Sequence, residues 1–191
     1  MAEQLGFLPT GGGSNPTSPL NMYVRQVRHD TAAALYAEWH YLKDTAFIAT
    51  INMGAYFDNI LHGAISYGPP NATDMAGFYT RNDQRHWWEI KRLAMTDAAP
   101  RCSESRFISV SLRLLRKLYK VIGVISLADD SVGHKGTIYK ASGFKYLGKT
   151  APKKDYYVNG AIHQRGPVRG LGGEWRDRPI KHLFVKDFRA P

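Results

Sequence analysis

A short, continuous apolar run near the middle of the chain, Val121–Leu127, is the feature that most constrains its fold. The run is too short for a typical helix, and it lacks the alternation of a strand with one wet face. Such a run is typical of a strand that is covered on both faces. It ends in Ala128-Asp129-Asp130, and polar residues at the end of a buried strand indicate a functional site.

Hydrophobic periodicity predicts further strands and helices around this strand. Two β-rich runs are separated by Asp58-Asn59, a pair that tolerates the positive φ of a tight turn, which predicts an antiparallel hairpin. Asp30 is predicted to cap a helix that ends near residues 39–41. The predicted elements are, in chain order, a strand at 22–27, that helix, strands at 47–57, 60–67 and 87–95, a long helix from Ser103 with Phe107, Val110, Leu114 and Leu118 on one face, the strand at 121–127, a short helix at 137–141, a strand at 144–147, and a hairpin at 155–164 that turns at Asn159-Gly160.

The charge balance favours a polyanionic partner. The chain has 26 Lys and Arg residues against 16 Asp and Glu residues, which gives a net charge of +10. Nucleic acid is the leading candidate partner, and a basic protein with no nucleic-acid role is the alternative.

Cysteine usage and hydropathy bound the compartment. Cys102 is the only cysteine, which excludes an internal disulfide and any cysteine-based metal site, and we interpret it as a small buried residue. No apolar run approaches the roughly 20 residues that span a bilayer, and the start lacks a signal sequence. We therefore expect no membrane association and a cytoplasmic location.

Composition divides the chain into three segments. Residues 1–20 are rich in Gly, Ser and Pro and are predicted to form a disordered arm. Residues 21–164 carry the periodic pattern of one folded domain. Residues 165–191 are predicted to be a basic extension laid over the surface, either a solvated tail or an arm that contacts phosphates.

The segment Ile138–Gly148 resembles the helix-to-strand signature near the end of GCN5-related N-acetyltransferase folds, where a Tyr precedes a Gly-Phe step. The order of the predicted elements is also the order of that fold. The resemblance implies an α/β (α+β) class with a central mixed, mostly antiparallel sheet flanked by helices. It further implies that the turn before the long helix binds the coenzyme A pyrophosphate, with Arg101, Ser103 and Ser105 as the candidate cofactor-binding residues. That turn carries Ser103-Glu104-Ser105 where the family usually has glycines.

A narrower resemblance comes from several motifs between residues 39 and 150. Together these motifs resemble the phage Mom-type DNA modification proteins: they are His40-Tyr41, Glu89-Ile90-Lys91-Arg92-Leu93, Ser103-Glu104-Ser105, Ala128-Asp129-Asp130, Gly133-His134, and Gly136-Thr137-Ile138-Tyr139. The resemblance implies an enzyme that converts adenine in phage DNA to N6-carbamoylmethyladenine and so blocks restriction enzymes. It implies double-stranded DNA and a small-molecule group donor as partners, and the cytoplasm of the infected bacterial host as the location.

The same resemblance implies six catalytic residues, and each also has a structural interpretation. His40 would act as a general base or a metal ligand, and Tyr41 would stack on the base. Three residues would bind or act on the donor. Arg92 would bind a carboxylate or phosphate, and Ser105 would hold an acyl or phosphate group or cap the helix. Tyr139 would be a general acid, as in related acetyltransferases, or a core residue. Asp129 would orient the histidine, bind metal, or cap the following turn.

The N6 amine is stacked and paired in duplex DNA, so the base must be flipped out and held between aromatic walls. Candidate walls are Trp39, Tyr41, Trp87 and Trp88.

The identity of the donor is left open at this stage. Acyl transfer to N6 gives an amide, whereas the carbamoylmethyl product joins N6 to a methylene carbon. The donor is either an acyl-coenzyme A or a glycine-derived compound that alkylates N6. A further alternative is a redox route, in which iron held by His40 and Asp129, with Glu89 as a third ligand, generates a reactive carbon centre. Two rival functions also remain, an acyl-coenzyme A-dependent N-acyltransferase acting on a protein or small amine, and a non-catalytic DNA-binding module. A homodimer is a further alternative.

Overall fold

A computed structural model describes residues 16–43, 47–70, 83–162, 167 and 172–189. The helices are α1 (His29–Trp39), α2 (Ser103–Leu118) and α3 (Thr137–Ala141). The strands are β1 (Tyr23–Val27), β2 (Ile51–Phe57), β3 (Ile60–Gly68), β4 (Trp87–Met95), β5 (Gly123–Asp129), β6 (Lys145–Lys149), β7 (Lys154–Val158), β8 (Ala161–Ile162), β9 (Glu174–Asp177) and β10 (Lys181–Asp187).

Seven of these strands form one mixed sheet in the order β1-β2-β3-β4-β5-β10-β6. Every neighbouring pair is antiparallel except β4 and β5, which are parallel. The predicted hairpin between β2 and β3 turns at Asp58 and Asn59, whose φ angles are 48° and 66°. The predicted fold class, a mostly antiparallel sheet flanked by helices, is confirmed.

Helices cover both faces of the sheet. The inner side of α1 packs Leu35 and Tyr36 against Tyr56 and Leu61. On the opposite face, α2 buries Phe107, Ile108, Leu112 and Leu115 against the larger part of the core. Because both faces are covered, β2 is buried along its whole length. The predicted apolar face of α2 was wrong in part, because Leu118 is 58% exposed and Val110 and Leu114 are only partly buried.

A smaller three-stranded sheet, in the order β8-β7-β9, lies between β6 and β10 in the sequence. The predicted hairpin at Asn159-Gly160 joins β7 to β8, and both turn residues have positive φ. β9 adds to the other side of β7.

The end of the chain differs from the sequence-based prediction. Residues 181–187 do not lie over the surface, because β10 is inserted between β5 and β6 and pairs with both. Its Phe184 and Val185 are buried in the core, so this segment completes the sheet. The alternation of Lys181–Asp187 is compatible with a strand, but its partners lie about 60 and 40 residues earlier and leave no local signal.

Two smaller predictions were also wrong. Asp30 does not cap α1, because the helix starts at His29 and Asp30 lies in its first turn, where it accepts a hydrogen bond from the Thr31 amide. Cys102 is exposed rather than buried, and it precedes α2 in a left-handed conformation with φ of 69°.

Most of the predicted N-terminal arm, and residues 163–166 and 168–171, lie outside the described residues. The described end of that arm, Pro19–Asn21, is one turn of 3₁₀ helix. None of the helices in the described ranges is long and apolar enough to span a membrane.

Candidate active site

The candidate site is a cleft that opens where β4 and β5 separate. The two parallel strands pair only between Trp87–Glu89 and Gly123–Ile125. Beyond this point Ile90–Leu93 and Ser126–Asp129 have no ladder between them, and a cleft of about 1140 Å³ lies there. The predicted residues that line it are His40, Tyr41, Arg92, Asp129 and Tyr139. Five of the six catalytic candidates are therefore brought to one place by the sheet and the ends of two helices.

Asp129 ends β5 and organises the turn that follows. One carboxylate oxygen accepts hydrogen bonds from the Ser131 amide at 3.0 Å and from the Ser131 hydroxyl at 2.6 Å. The other oxygen accepts a long hydrogen bond from the Tyr41 hydroxyl at 3.4 Å. Of the three interpretations of Asp129, the turn cap is the one that the structure bears out, and the carboxylate also faces Tyr41.

Tyr41 is a partly exposed aromatic wall of the cleft, with 39% of its surface accessible. Its ring lies 4.5 Å from the His40 ring and meets the His134 ring edge-on at 5.1 Å. Burial, reinforced by the Asp129 carboxylate, raises the pKa of Tyr41 to about 12, so the hydroxyl stays protonated at neutral pH. Tyr41 therefore combines a partly exposed side chain with a hydroxyl that donates to Asp129.

His40 follows α1 directly and is buried. Its Nδ1 accepts a hydrogen bond from the Leu42 amide at 3.2 Å. A neutral imidazole whose Nδ1 is an acceptor carries its proton on Nε2. In this arrangement His40 presents an N–H donor at Nε2, whereas a general base or an Nε2-bound metal would need that nitrogen without its proton.

A β-bulge concentrates charge at the wall of the cleft formed by β4. Glu89 pairs with Gly68, and Arg92 pairs with Ser66, so Lys91 is the additional residue between them. The bulge places Glu89 and Arg92 on the face covered by α1, although they are three positions apart and regular alternation would place them on opposite faces. Arg92 lies 5.8 Å from the centre of the Phe47 ring and donates to the Lys91 carbonyl.

Lys91 and Glu89 form an ion pair in the same wall. The Lys91 Nζ lies 3.2 Å from the Glu89 Oε2, and the two side chains are only 5% and 9% exposed. Burial lowers the pKa of Lys91, and the Glu89 carboxylate opposes that shift. The two residues were part of the motif Glu89–Leu93, but their pairing was missed because Glu-Ile-Lys reads as an ordinary strand with one polar face.

Tyr139 has a mixed position. It borders the cleft but is buried, and its ring packs against Phe144 and Phe184 in the core. Burial raises the pKa of Tyr139, and the Ser126 hydroxyl opposes that shift. Tyr139 therefore has the core role that the sequence left open, and its hydroxyl remains protonated at neutral pH.

The predicted cofactor-binding turn is separate from this wall. None of its three candidates, Arg101, Ser103 and Ser105, lies among the described residues that line the cleft. The Ser105 hydroxyl donates to the Cys102 carbonyl at 3.1 Å, which is the helix-capping alternative. The Ser103 side chain is fully buried.

Glu104 is the residue of this turn that does line the cleft, and it places a carboxylate in the first turn of α2. A carboxylate there occupies the anion-favouring end of the helix and opposes a pyrophosphate. The residues of this turn do not fit the pyrophosphate of coenzyme A.

The iron hypothesis gains no support from the geometry. Within the ranges that the structure describes, no group of three or more His, Cys, Asp or Glu side chains is placed to hold a metal ion. Glu89, the suggested third ligand, is paired with Lys91, and the Nδ1 of His40 already accepts a hydrogen bond from the Leu42 amide.

Of the four aromatic residues predicted to wall the site, Tyr41 alone lines the cleft among the described residues. Trp87 is buried against Ile125 and Val185, and Trp88 packs on Tyr119. Trp39 packs against the core beneath α1. Among the described residues these three tryptophans do not border the cleft.

The outer edge of the cleft carries a set of cations, here called the basic rim: Lys135, Lys149, Lys153, Arg178 and Lys181. Asp130 accepts hydrogen bonds from Lys135 and Lys149, each at 2.7 Å, and these contacts hold the pKa of its carboxyl well below the usual range. The rim was missed because its members are far apart in the sequence: they come from the turn before α3, the end of β6, the residues that flank β7 and β9, and the start of β10. The excess of basic residues was the only sequence signal for it.

Solved structures support the fold. An alanine acetyltransferase of ribosomal protein S5 from Vibrio fischeri is 14% identical with a TM-score of 0.53, and it covers 89% of this chain and 94% of its own. An acetyltransferase of Salmonella typhimurium solved with acetyl-CoA is 13% identical with a TM-score of 0.53, over 90% and 96% of the two chains. The aminoglycoside acetyltransferase AAC(6')-Ib, in complex with coenzyme A and kanamycin, has a TM-score of 0.55 at 13% identity, over 88% and 96%. The chain therefore has the GCN5-related N-acetyltransferase fold.

Sequence comparison narrows the relationship. The methylcarbamoylase Mom of Escherichia phage Mu is 34% identical over 113 residues, which cover 57% of this chain and 46% of the phage protein. The aligned part thus spans about half the length of that relative. The Mom protein family matches residues 21–184, from the start of the fold to the last strand. On this match, which covers the sheet, both helical layers and the cleft, the chain belongs to the Mom protein family.

Proposed function

We propose that this protein modifies DNA by converting adenine to N6-carbamoylmethyladenine, and that the modification protects phage DNA from restriction in the cytoplasm of the infected host. The observation that carries the proposal is the convergence of His40, Tyr41, Arg92 and Asp129 on one cleft in a chain of the Mom family.

The cleft suits a flipped base rather than an intact duplex. The N6 amine takes part in base pairing, so the adenine has to leave the stack before it reacts. Tyr41 is a partly exposed aromatic side chain at the cleft wall, and the base would stack on it. The basic rim would bind the flanking phosphates, and its cations would make DNA affinity fall with rising salt.

The product constrains the bond that forms. The N6 lone pair attacks the methylene carbon of a carboxamidomethyl donor that carries a leaving group. The new carbon–nitrogen bond forms as the bond to the leaving group breaks, the leaving group takes the electron pair, and N6 releases a proton to solvent water. This is substitution at a saturated carbon, so the acetyltransferase fold supplies the scaffold and not the usual reaction.

The cleft residues suit this substitution as positioning groups. Arg92 would hold a carboxylate or amide oxygen of the donor, and the His40 Nε2–H would donate to the leaving group. Asp129 would fix Tyr41 through its hydroxyl. Tyr139 would close the cleft from the core side, while Ser105 would act through the position of the α2 N-terminus.

A restriction-protection experiment tests the proposal. Plasmid DNA from cells that express the protein should resist restriction enzymes whose sites contain adenine, and DNA from cells expressing His40→Ala should be cut. DNA that is fully cut in both cases, with soluble folded protein present, would contradict the proposal.

The acetyltransferase fold itself favours one rival, an acyl-coenzyme A-dependent N-acyltransferase. A titration of the purified protein separates the two functions. Binding of duplex DNA in the absence of coenzyme A supports the DNA-modifying enzyme. Tight binding of acetyl-coenzyme A that is indifferent to DNA supports the rival.

A further inference from the structure

Glu89 and Lys91 form a buried ion pair at the cleft. Both residues line the cleft, and both side chains are more than nine-tenths buried. Removing two charges from water costs several kcal/mol per ion before their attraction is counted. Two hydrophobic residues would close the same wall at a lower cost in desolvation free energy. The ion pair therefore has a role other than stabilising the fold.

The position of the pair is specific. Glu89 is the last β4 residue in the ladder with β5, so its side chain lies where the two strands separate and the cleft begins. The bulge adds Lys91, whose side chain lies over the end of β3: a Cβ placed on Gly68 would come within 3.2 Å of the Lys91 Cε. Both side chains are therefore on the face covered by α1, which is also the face that presents Arg92.

We infer that Glu89 and Lys91 together read the Watson–Crick edge of the flipped base and select the amino edge of adenine against the keto edges of guanine and thymine. This inference rests on the proposed function and names the residues that set its specificity. The Glu89 carboxylate only accepts hydrogen bonds and the Lys91 ammonium only donates them. Side by side they match the N6–H donor and the N1 acceptor of adenine. Guanine and thymine present the opposite order, an acceptor oxygen beside an N–H donor. Cytosine presents the same order as adenine, so the pair excludes keto bases and the choice between adenine and cytosine depends on the rest of the cleft.

The contact geometry agrees with this assignment. The two charged atoms are 3.2 Å apart, so one planar base edge can meet both at once. Tyr41 is in the same cleft and would hold the ring plane. A two-point contact to a base edge discriminates against the wrong base by about 5- to 150-fold.

The test reverses the order of hydrogen-bond donor and acceptor, first in the base and then in the ion pair. Five-unit DNA strands made of abasic spacers with one central adenine or hypoxanthine differ only in the edge that is read, because hypoxanthine carries an acceptor oxygen and an N1–H donor. Binding to the full-length protein is measured by fluorescence anisotropy. The wild type should prefer the adenine strand by about tenfold. The double variant Glu89→Lys with Lys91→Glu keeps an ion pair but inverts its pattern, and it should prefer hypoxanthine.

Two further variants serve as a second test and as a control. Glu89→Gln has an amide that either donates or accepts, so its preference should fall close to parity even if the swapped pair fails to fold. Glu104→Gln removes a carboxylate from the same cleft and should leave the wild-type preference unchanged. Melting temperatures of all variants report folding separately.

The outcomes are distinct. Equal binding of the two strands by the wild type, or an adenine preference that survives in the swapped or Gln variant, would overturn the inference and leave the pair with a structural role. A wild-type protein that selects adenine in this assay but leaves cellular DNA unmodified would refute the proposed reaction without affecting the reading of the base.

Discussion

Replacing Asp129 separates its role in the turn from its role beside Tyr41. Its side chain is buried and accepts two hydrogen bonds from Ser131, and hydrogen bonds to a charged group contribute about 1.5–3 kcal/mol each. Because the two bonds share one oxygen and one turn, Asp129→Ala should lower the free energy of unfolding by about 2–4 kcal/mol. At roughly 2–4 °C per kcal/mol for a chain of this size, the melting temperature should fall by about 5–15 °C.

Asp129→Asn is the matched variant. Its amide oxygen still accepts both bonds from Ser131, so we expect a loss below about 1 kcal/mol. Its amide nitrogen, however, would face the Tyr41 hydroxyl and replace an acceptor with a donor. Thermal unfolding followed by circular dichroism measures stability, and restriction protection measures activity. The Asp129→Asn variant should keep its stability but lose restriction protection. The Asp129→Ala variant should lose both stability and restriction protection. Equal melting temperatures for the wild type and Asp129→Ala would refute the reasoning about the turn.

Three predictions concern the rest of the fold. In Gly123→Ala the new Cβ would lie 2.3 Å from Trp87, so urea denaturation should show a loss of about 1–3 kcal/mol, and an unchanged midpoint would contradict this. Cys102→Gly should raise the melting temperature by about 2–4 °C, because Cys102 has a φ of 69° that strains any residue with a Cβ; a lower value would be evidence against this strain. Burial raises the pKa values of Tyr36 and Tyr67, so the unfolded chain loses these protons first, and stability should fall as pH rises above about 10. The decline should be shallower in Tyr67→Phe, and identical curves would argue against the linkage.

Local signals made much of the fold predictable. The Asp58-Asn59 turn, the presence of the helix α2 and the run that became β5 each follow from side-chain period and turn chemistry over a few residues. The position of the cleft could also be predicted in part, since the polar residues at the end of β5 indicated a site there.

Features that depend on distant pairing were not predictable in the same way. β10 joins the sheet through contacts with β5 and β6, and no pattern within residues 181–187 specifies those partners. The ion pair of Glu89 and Lys91 depends on a bulge opposite β3, and one residue more or less in the register changes which side chains face the cleft. The proton on His40 Nε2 depends on a backbone amide two residues later, a contact that motif comparison does not contain.

The chemical identity of the product is the central claim of this account. DNA from cells that express the protein is digested to nucleosides and analysed by mass spectrometry with fragmentation. The account predicts a modified deoxyadenosine whose fragment ions carry a carbamoylmethyl group on N6, and its absence from cells that express the His40→Ala variant. An N6-acetyl group, or unmodified deoxyadenosine in cells with abundant folded protein, would contradict it.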